Sequence, residues 1–590
     1  MTAKSIILCS DGTGNSGGKG CGTNVWRIYN GVDTHAHRNG DGVREQVAFY
    51  DDGVGTERFK AVRLLTGAVG FGLGHNVREL YTRLVKNYNP GDHIYLFGFS
   101  RGAFTVRTLA GLITECGVLD RYHSEAKTDD DLKDCVEKAY RAYRYKYDAW
   151  LTKPFTMLFR WLGLAQTAEE FRKKYGVSVE PDSYSDEDYP HISAEAIKAS
   201  SELKTCDGDD VHSSQSRRVV EHPKDIPIRF MGVWDTVDAV GLPSDLLTNL
   251  INRVFYRFKF DHQTLSERVN KACHALAIDE ERRSFTPLLF NEKRIRKEGP
   301  SKRQEKKGDY APDEEMRIEQ VWFAGVHSNV GGGYPKQQMA KVTQRWMMQK
   351  AKDCDLRFNA GEEQGIKEES NVHGKLYDSR SGLGIYYISR PRDIDKLTAD
   401  YCVARANVHV SVFQRIALGT DDYAPGNLPR DVTIMSTDDT NAGEDRHALA
   451  KLSKQIDASY NGGGKLLDRV KKHNLTRYVS HVVAISIAFY VFVCTQSWLQ
   501  KGIYNVTGLS VGDWCPSFSF PLVNHVFGPF SPFTHATIVV TVVGLALYAM
   551  DFRIRKYMSG HFSCFWRNVE PMQIPWWRNA DAGSQKHMNS

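Results

Sequence analysis

"HIYLFGFSRGAFTVR", residues 93–107, joins two different patterns at a single serine. His93–Phe99 is a short apolar run rich in aromatic and β-branched residues, as expected for a strand covered on both faces. From Ala103 the chain continues as "AFTVRTLAGLITECG", which reads as a helix. Between them, Gly98-Phe99-Ser100-Arg101-Gly102 forms a G-x-S-x-G. The pentapeptide alone is weakly specific, because glycine and serine are common. Between a strand and a helix it describes a nucleophile elbow. There the serine takes strained backbone angles, and small flanking residues let strand and helix pass close together. The competing reading is a helix-capping serine, but a cap needs no glycine at either flanking position. We therefore read Ser100 as a nucleophile. The amide of Arg101, at the positive end of the following helix, is then one oxyanion donor.

Three further segments read as buried strands that end in small or polar residues. They are "SIILCSDGTGN" (5–15), "IPIRFMGVWDTVD" (226–238) and "IEQVWFAGVHSNVGGGY" (318–334). Helix-like stretches such as "NVRELYTRLVKNY" lie between strands, which predicts an α/β fold with a mostly parallel sheet. In such sheets sites form at the carboxyl ends of strands. A serine nucleophile needs a base, and the base needs an acid to orient it. In this architecture the chain order is Ser, Asp or Glu, His. Asp235 follows one strand and His327 another, so Ser100, Asp235 and His327 satisfy that order with every member at a carboxyl end. Asp238 is an alternative acid. His274, in "ACHALAIDEERRSF", follows a helical pattern and reads as a core or supporting histidine, and His93 opens a strand at the wrong end.

The second oxyanion donor should come from a glycine-rich loop after another central strand. "DGTGN" (11–15) fits, with Gly12 or Thr13 supplying the amide and Asp11 hydrogen-bonding the loop. Asp followed by Gly-Thr also occurs in phosphatase loops, but no second Asp accompanies Asp11 here. Asp51 and Asp52, in "FYDDGVGT", suit either a hard cation such as calcium or a plain turn. The chemistry read from these residues calls for no metal and no cofactor.

At 590 residues the chain is too long for one ordinary domain. A net charge of +6 is small for that length and makes no case for nucleic acid. Its eleven cysteines contain no C-x-x-C pair, which argues against a zinc ribbon or a dense disulfide framework and for a reducing compartment. Residues 119–223 read as an insertion into the catalytic domain. Within it, "KPFTMLFRWLGLAQTAEEF" (153–171) is a lid, a membrane-facing helix or a cap helix packed on the core. The basic stretch at 293–315 reads as a solvated loop.

Two C-terminal runs, 478–499 and 533–550, contain no Asp, Glu, Lys or Arg and approach the roughly 20 helical residues that span a bilayer. Arg469, Lys471, Lys472 and Arg477 precede the first, and Arg553, Arg555 and Lys556 follow the second. The positive-inside rule then places both ends, and the catalytic domain, in the cytoplasm. The expected organisation is a catalytic domain over 1–460 and a membrane-anchoring region over 461–590 built on a two-helix transmembrane hairpin.

The blocks "DGTGN", "YDDGVGT", "GFSRGAFTVRTLAG", "GVWDTVDAVG", "HALAIDEERRSFTP" and "VWFAGVHSNVGGGY" occur in this order over residues 5–334. Together they resemble the domain family numbered 2235, which includes the Tle1-type phospholipase effectors of type VI secretion. The resemblance implies an α/β-hydrolase fold, a Ser-Asp-His triad and ester hydrolysis of membrane phospholipids. Ser100 and His327 fall on matching blocks, while "WDTVD" leaves Asp235 and Asp238 both open as the acid. The reading is a serine hydrolase of lipid esters, of phospholipase A type. Its rivals are a membrane-anchored binding protein with a hydrolase-like domain and a hydrolase of a soluble ester. If the chain is a delivered effector acting on a target-cell membrane, the resemblance also implies a secretion-apparatus carrier and an immunity protein as partners.

Overall fold

A computed structural model describes residues 3–12, 21–35, 44–53, 73–145, 166–177, 226–238, 264–266, 268–292, 317–379, 390–401, 403–417, 420, 423, 425–429 and 432–437. Eight strands form one sheet: β1 (Ser5–Ser10), β2 (Gln46–Asp51), β3 (His93–Phe99), β4 (Ile228–Trp234), β5 (Val269–Ala277), β6 (Ile318–Phe323), β7 (Ala406–His409) and β8 (Val432–Met435). Their order is β2-β1-β3-β4-β5-β6-β7-β8, and each adjacent pair runs parallel. The described helices are α1 (Asn24–Gly31), α2 (Leu73–Asn87), α3 (Arg101–Cys116), α4 (Asp129–Tyr145), α5 (Ala168–Tyr175), α6 (His327–Gly331), α7 (Gln338–Lys352), α8 (Ala360–Glu369), α9 (Ile394–Asp400) and α10 (Val410–Ala417).

Parallel strands covered on both faces have no polar side, and β1, β3, β5 and β6 are buried along their whole length. On one face, Ile6, Leu8, Ile94 and Leu96 pack with Leu80, Phe104, Leu109 and Ile113 of α2 and α3. On the other, Ile7, Cys9, Tyr95 and Phe97 pack with Val25, Ile28, Trp346 and Met347 of α1 and α7. A third cluster, around Trp322, Val408, Phe413 and Ile434, closes the far edge.

Two elements differ from the sequence expectation. "ACHALA", expected to follow a helical pattern, lies in β5, whose nine residues are all buried. With Asn270, Lys271 and His274 interrupting its apolar residues, the segment shows no clean alternation that would mark a strand from sequence, so pairing in the sheet decides. The "FYD" of "FYDDGVGT", read only as a turn or cation loop, ends β2. The expected insertion contributes α4 and α5 to the main body. Tyr140, Tyr143, Phe171 and Tyr175 join the same core cluster as α2 and α3, so Phe171, at the end of the 153–171 stretch, packs as a cap residue does. The expected transmembrane runs at 478–499 and 533–550 lie outside the described residues. Among the described residues, no helix is long and apolar enough to cross a membrane.

Sheet register sets up the site. Ser10 pairs with Gly98, Phe99 with Trp234, Trp234 with Ala275, and Ala277 with Phe323. The residues that follow these strands therefore emerge along one carboxyl rim. β1 leads to β2 on one side while β3 returns on the other, so the order reverses beside β1 and β3, where such sheets bind ligands.

Candidate active site

Ser100 stands between β3 and α3 with φ 58° and ψ −122°, a region that costs a non-glycine residue about 1–2 kcal/mol. Its amide donates to the carbonyl of Trp234 (3.0 Å), which ties the turn to the neighbouring strand. The Ser100 hydroxyl makes no capping hydrogen bond to α3, so the helix-cap reading has no geometric support. Both flanking glycines are required by contact. A Cβ on Gly98 would lie 2.6 Å from Ala103 Cα, and one on Gly102 would lie 2.1 Å from the carbonyl oxygen of Ser10. The G-x-S-x-G is thus the local solution to a helix that starts against two strand ends. Arg101 opens α3 directly after the serine.

His327 begins α6, reached from β6 through Gly325 at φ 118°. Its Nδ1 lies 2.6 Å from Asp235 Oδ2. The carboxylate selects the Nδ1–H tautomer and leaves Nε2 as the acceptor. Nε2 is buried and has no hydrogen-bond partner among the described residues. The imidazole packs between Phe99 (ring centroids 4.6 Å apart) and Phe285 (4.9 Å). Phe99 directly precedes Ser100, so this contact sets the imidazole beside the elbow. Gly331 completes the fit, since a Cβ there would meet the Phe99 ring at 2.0 Å.

Asp235 follows β4 at φ 42° and is fully buried. Its Oδ1 accepts from the amide of Ala277 (3.1 Å). Arg392 grips both carboxylate oxygens, at 2.6 and 2.8 Å. Burial pushes the Asp235 carboxyl up, but the Arg392 charge and the His327 hydrogen bond outweigh it and hold the group well below the ordinary carboxylate range. Burial lowers the His327 pKa below the ordinary histidine value, against the raising effect of Asp235. Asp238, the alternative acid, is half-buried and lies near Tyr401. His274 is buried and accepts from the amide of Thr236 (3.1 Å), with its pKa pushed down to about 3 mainly by burial. It braces the turn that carries Asp235.

Asp11 organises the loop after β1. It accepts from Tyr50 (2.6 Å), from Thr23 and from its neighbouring Gly12 amide (2.6 Å). The Gly12 amide, expected as an oxyanion donor, therefore bonds to Asp11 in this structure, and Thr13 lies outside the described residues. Asp51 accepts from Ser10 (2.9 Å) and Asn76 (2.7 Å). Among the described residues, no group of three or more His, Cys, Asp or Glu side chains is gathered as a metal site would require.

Sequence reasoning did not single out Arg392 or Glu280. Glu280 is fully buried, accepts from the His327 amide (3.2 Å) and forms a two-pronged pair with Arg282 (2.9 Å each). It sits in the "HALAIDEERRSFTP" block, which could have flagged it. Arg392, in "SRPRD", carries no local signal.

Residues 4–350 match the family model described as T6SS, phospholipase effector Tle1-like, catalytic domain. The chain belongs to that family. Its Tle1-like domain supports a lipid-hydrolase function. The chain is also 28% identical over 303 residues to uncharacterized protein YEL023C of Saccharomyces cerevisiae, a match that covers 49% of this chain and 33% of the yeast protein. It thus spans about a third of the length of that curated relative. Among solved structures, an uncharacterized protein from Pseudomonas aeruginosa aligns at TM-score 0.30 and 15% identity, covering 82% of this chain and 62% of that one. The Tle1 effector bound to the VgrG spike of the type 6 secretion system aligns at TM-score 0.25 and 13% identity, covering 57% and 52%. Both scores fall below the level at which a shared overall fold can be argued.

Proposed function

We propose that this chain is a serine hydrolase that cleaves carboxylic esters of membrane phospholipids, releasing fatty acid as a phospholipase A does. The observation that carries this reading is the strained Ser100 turn packed, through Phe99, against an imidazole whose Nδ1 is held by Asp235. In this mechanism Nε2 of His327 takes the proton as Ser100 Oγ attacks the ester carbonyl. Asp235 orients the ring and stabilises the imidazolium that forms. The Arg101 amide and the helix dipole of α3 receive the developing oxyanion, with the Gly12–Thr13 loop as second donor once Gly12 leaves Asp11. His327 returns its proton to the leaving alcohol. Water, activated by the same imidazole, then cleaves the acyl-enzyme.

The family supports the lipid class, and the apolar runs at 478–499 and 533–550 are proposed to hold the catalytic unit at a bilayer. The family's link to type VI secretion makes a secretion-apparatus carrier a partner to test, with a resident membrane enzyme as the alternative to a delivered one.

The test is fatty-acid release from mixed phospholipid vesicles by the full chain in nanodiscs. Wild type should release fatty acid and label with a fluorophosphonate. Ser100→Ala and His327→Ala should lose at least about 10³-fold in rate while keeping their melting temperatures. Absence of both labelling and release in wild type would sink the hydrolase reading. Labelling without lipid turnover would redirect it to soluble esters.

A further inference from the structure

Arg392 lies beyond the residues matched by the family's catalytic model, yet its side chain is buried at the centre of the site. Besides both oxygens of Asp235, its guanidinium reaches the carbonyls of Ala277 and Phe285. Its backbone is fastened in turn, because Asn427 Nδ2 donates to the carbonyls of Arg392 (3.1 Å) and Ile278 (2.9 Å). Asp235 Oδ2 is therefore shared between His327 Nδ1 at 2.6 Å and Arg392 at 2.8 Å. The pair seen from the sequence is a His–Asp–Arg chain.

Among the described residues, the charged groups that act on His327 come as two matched pairs. Asp235 is bound by Arg392, and Glu280, which holds the His327 amide, is bound by Arg282. Phe99 and Phe285 pack against the ring without charge, and His274 behind Asp235 is neutral over ordinary pH. Each carboxylate that would favour an imidazolium is offset by a guanidinium. A planar fork gripping both oxygens also blocks rotation of the carboxylate.

We propose that Arg392 is a positioning residue of this site: it fixes the Asp235 carboxylate against His327 and offsets its charge, so that the imidazole remains a neutral proton acceptor into mildly acidic solution. The catalytic unit then extends past residue 350 to include the segment that carries Arg392 and Asn427. The catalytic consequence rests on the hydrolase reading, whereas the electrostatic one does not.

The experiment follows the His327 ring by ¹³Cε1 NMR in the full chain, labelled at histidine and assigned with His327→Gln, as pH is varied. Arg392→Met should raise the His327 titration midpoint by about one pH unit, because Asp235 then acts on it unopposed. Arg392→Gln, which can still hydrogen-bond Asp235 but carries no charge, should raise it as well, and serves where the Met variant fails to fold. Arg392→Lys should leave the midpoint nearer that of wild type. The acid limb of kcat/KM for ester hydrolysis should move with the midpoint. A folded Met or Gln variant whose His327 midpoint matches wild type overturns the proposal and leaves Arg392 a structural residue. A shifted midpoint in a chain whose wild type hydrolyses no ester sustains the role of Arg392 and refutes the hydrolase instead.

Discussion

Asp235 and Asp51 hold comparable places in the sheet and end in opposite states. One directly follows β4 and the other ends β2, and both are buried on the carboxyl rim. Burial pushes both carboxyls up. Asp235 has a guanidinium on both oxygens and an imidazole on one, and it stays ionised far below the ordinary range. Among the described residues, Asp51 has the neutral donors Ser10 and Asn76, with Glu79 and Asp52 adding like charge, and it is pushed up to about 7. Burial alone therefore does not keep a carboxylate ionised. A cation brought in from a distant part of the chain does, and among the described residues it arrives at only one of the two positions.

The sharpest way to break this contrast is Asp235→Asn. It preserves shape but removes the charge and favours the wrong imidazole tautomer, so kcat for ester hydrolysis should fall by roughly 10³–10⁴-fold. It also leaves Arg392 buried without its counter-charge, so the variant should lose stability too, by about 3–5 kcal/mol. A variant within tenfold of wild type would remove Asp235 from the mechanism.

Asp51→Asn should act on stability rather than rate. A carboxyl raised from about 4 unfolded to about 7 folded binds more protons in the native state across that window, so its contribution is most favourable at low pH and declines as pH rises to 7. Thermal melts of the Asn variant should show a flatter dependence on pH between 4 and 7 and higher stability than wild type at pH 8. An unchanged pH profile would contradict the raised Asp51. Asp238→Asn should have the smallest effect, within about twofold of wild type in kcat, because His327 Nδ1 is bonded to Asp235. A loss comparable to that of Asp235→Asn would transfer the role of the acid to Asp238.

Much of the frame was legible in the chain. The strand–glycine–serine–glycine–helix pattern marked the turn at Ser100, and strand ends at Asp11, Ser100, Asp235 and His327 marked one rim. These features are local, set by apolar runs, close backbone approach and chain order. β5 was not legible, since nine buried residues read alike as strand or helix. The choice between Asp235 and Asp238 was open because three residues of separation carry no direction.

What the sequence by itself determined was the α/β alternation, the serine turn with its two obligatory glycines, and the histidine at the mouth of a glycine-rich loop. Each depends on residues within a few positions of one another. Only the tertiary structure decided which aspartate meets His327, that Gly12 donates to Asp11, and that Arg392 closes the site. The physical reason is that an ion pair depends on distance in space. Residues 235, 327 and 392 converge only because three separate segments end against the same rim of one parallel sheet.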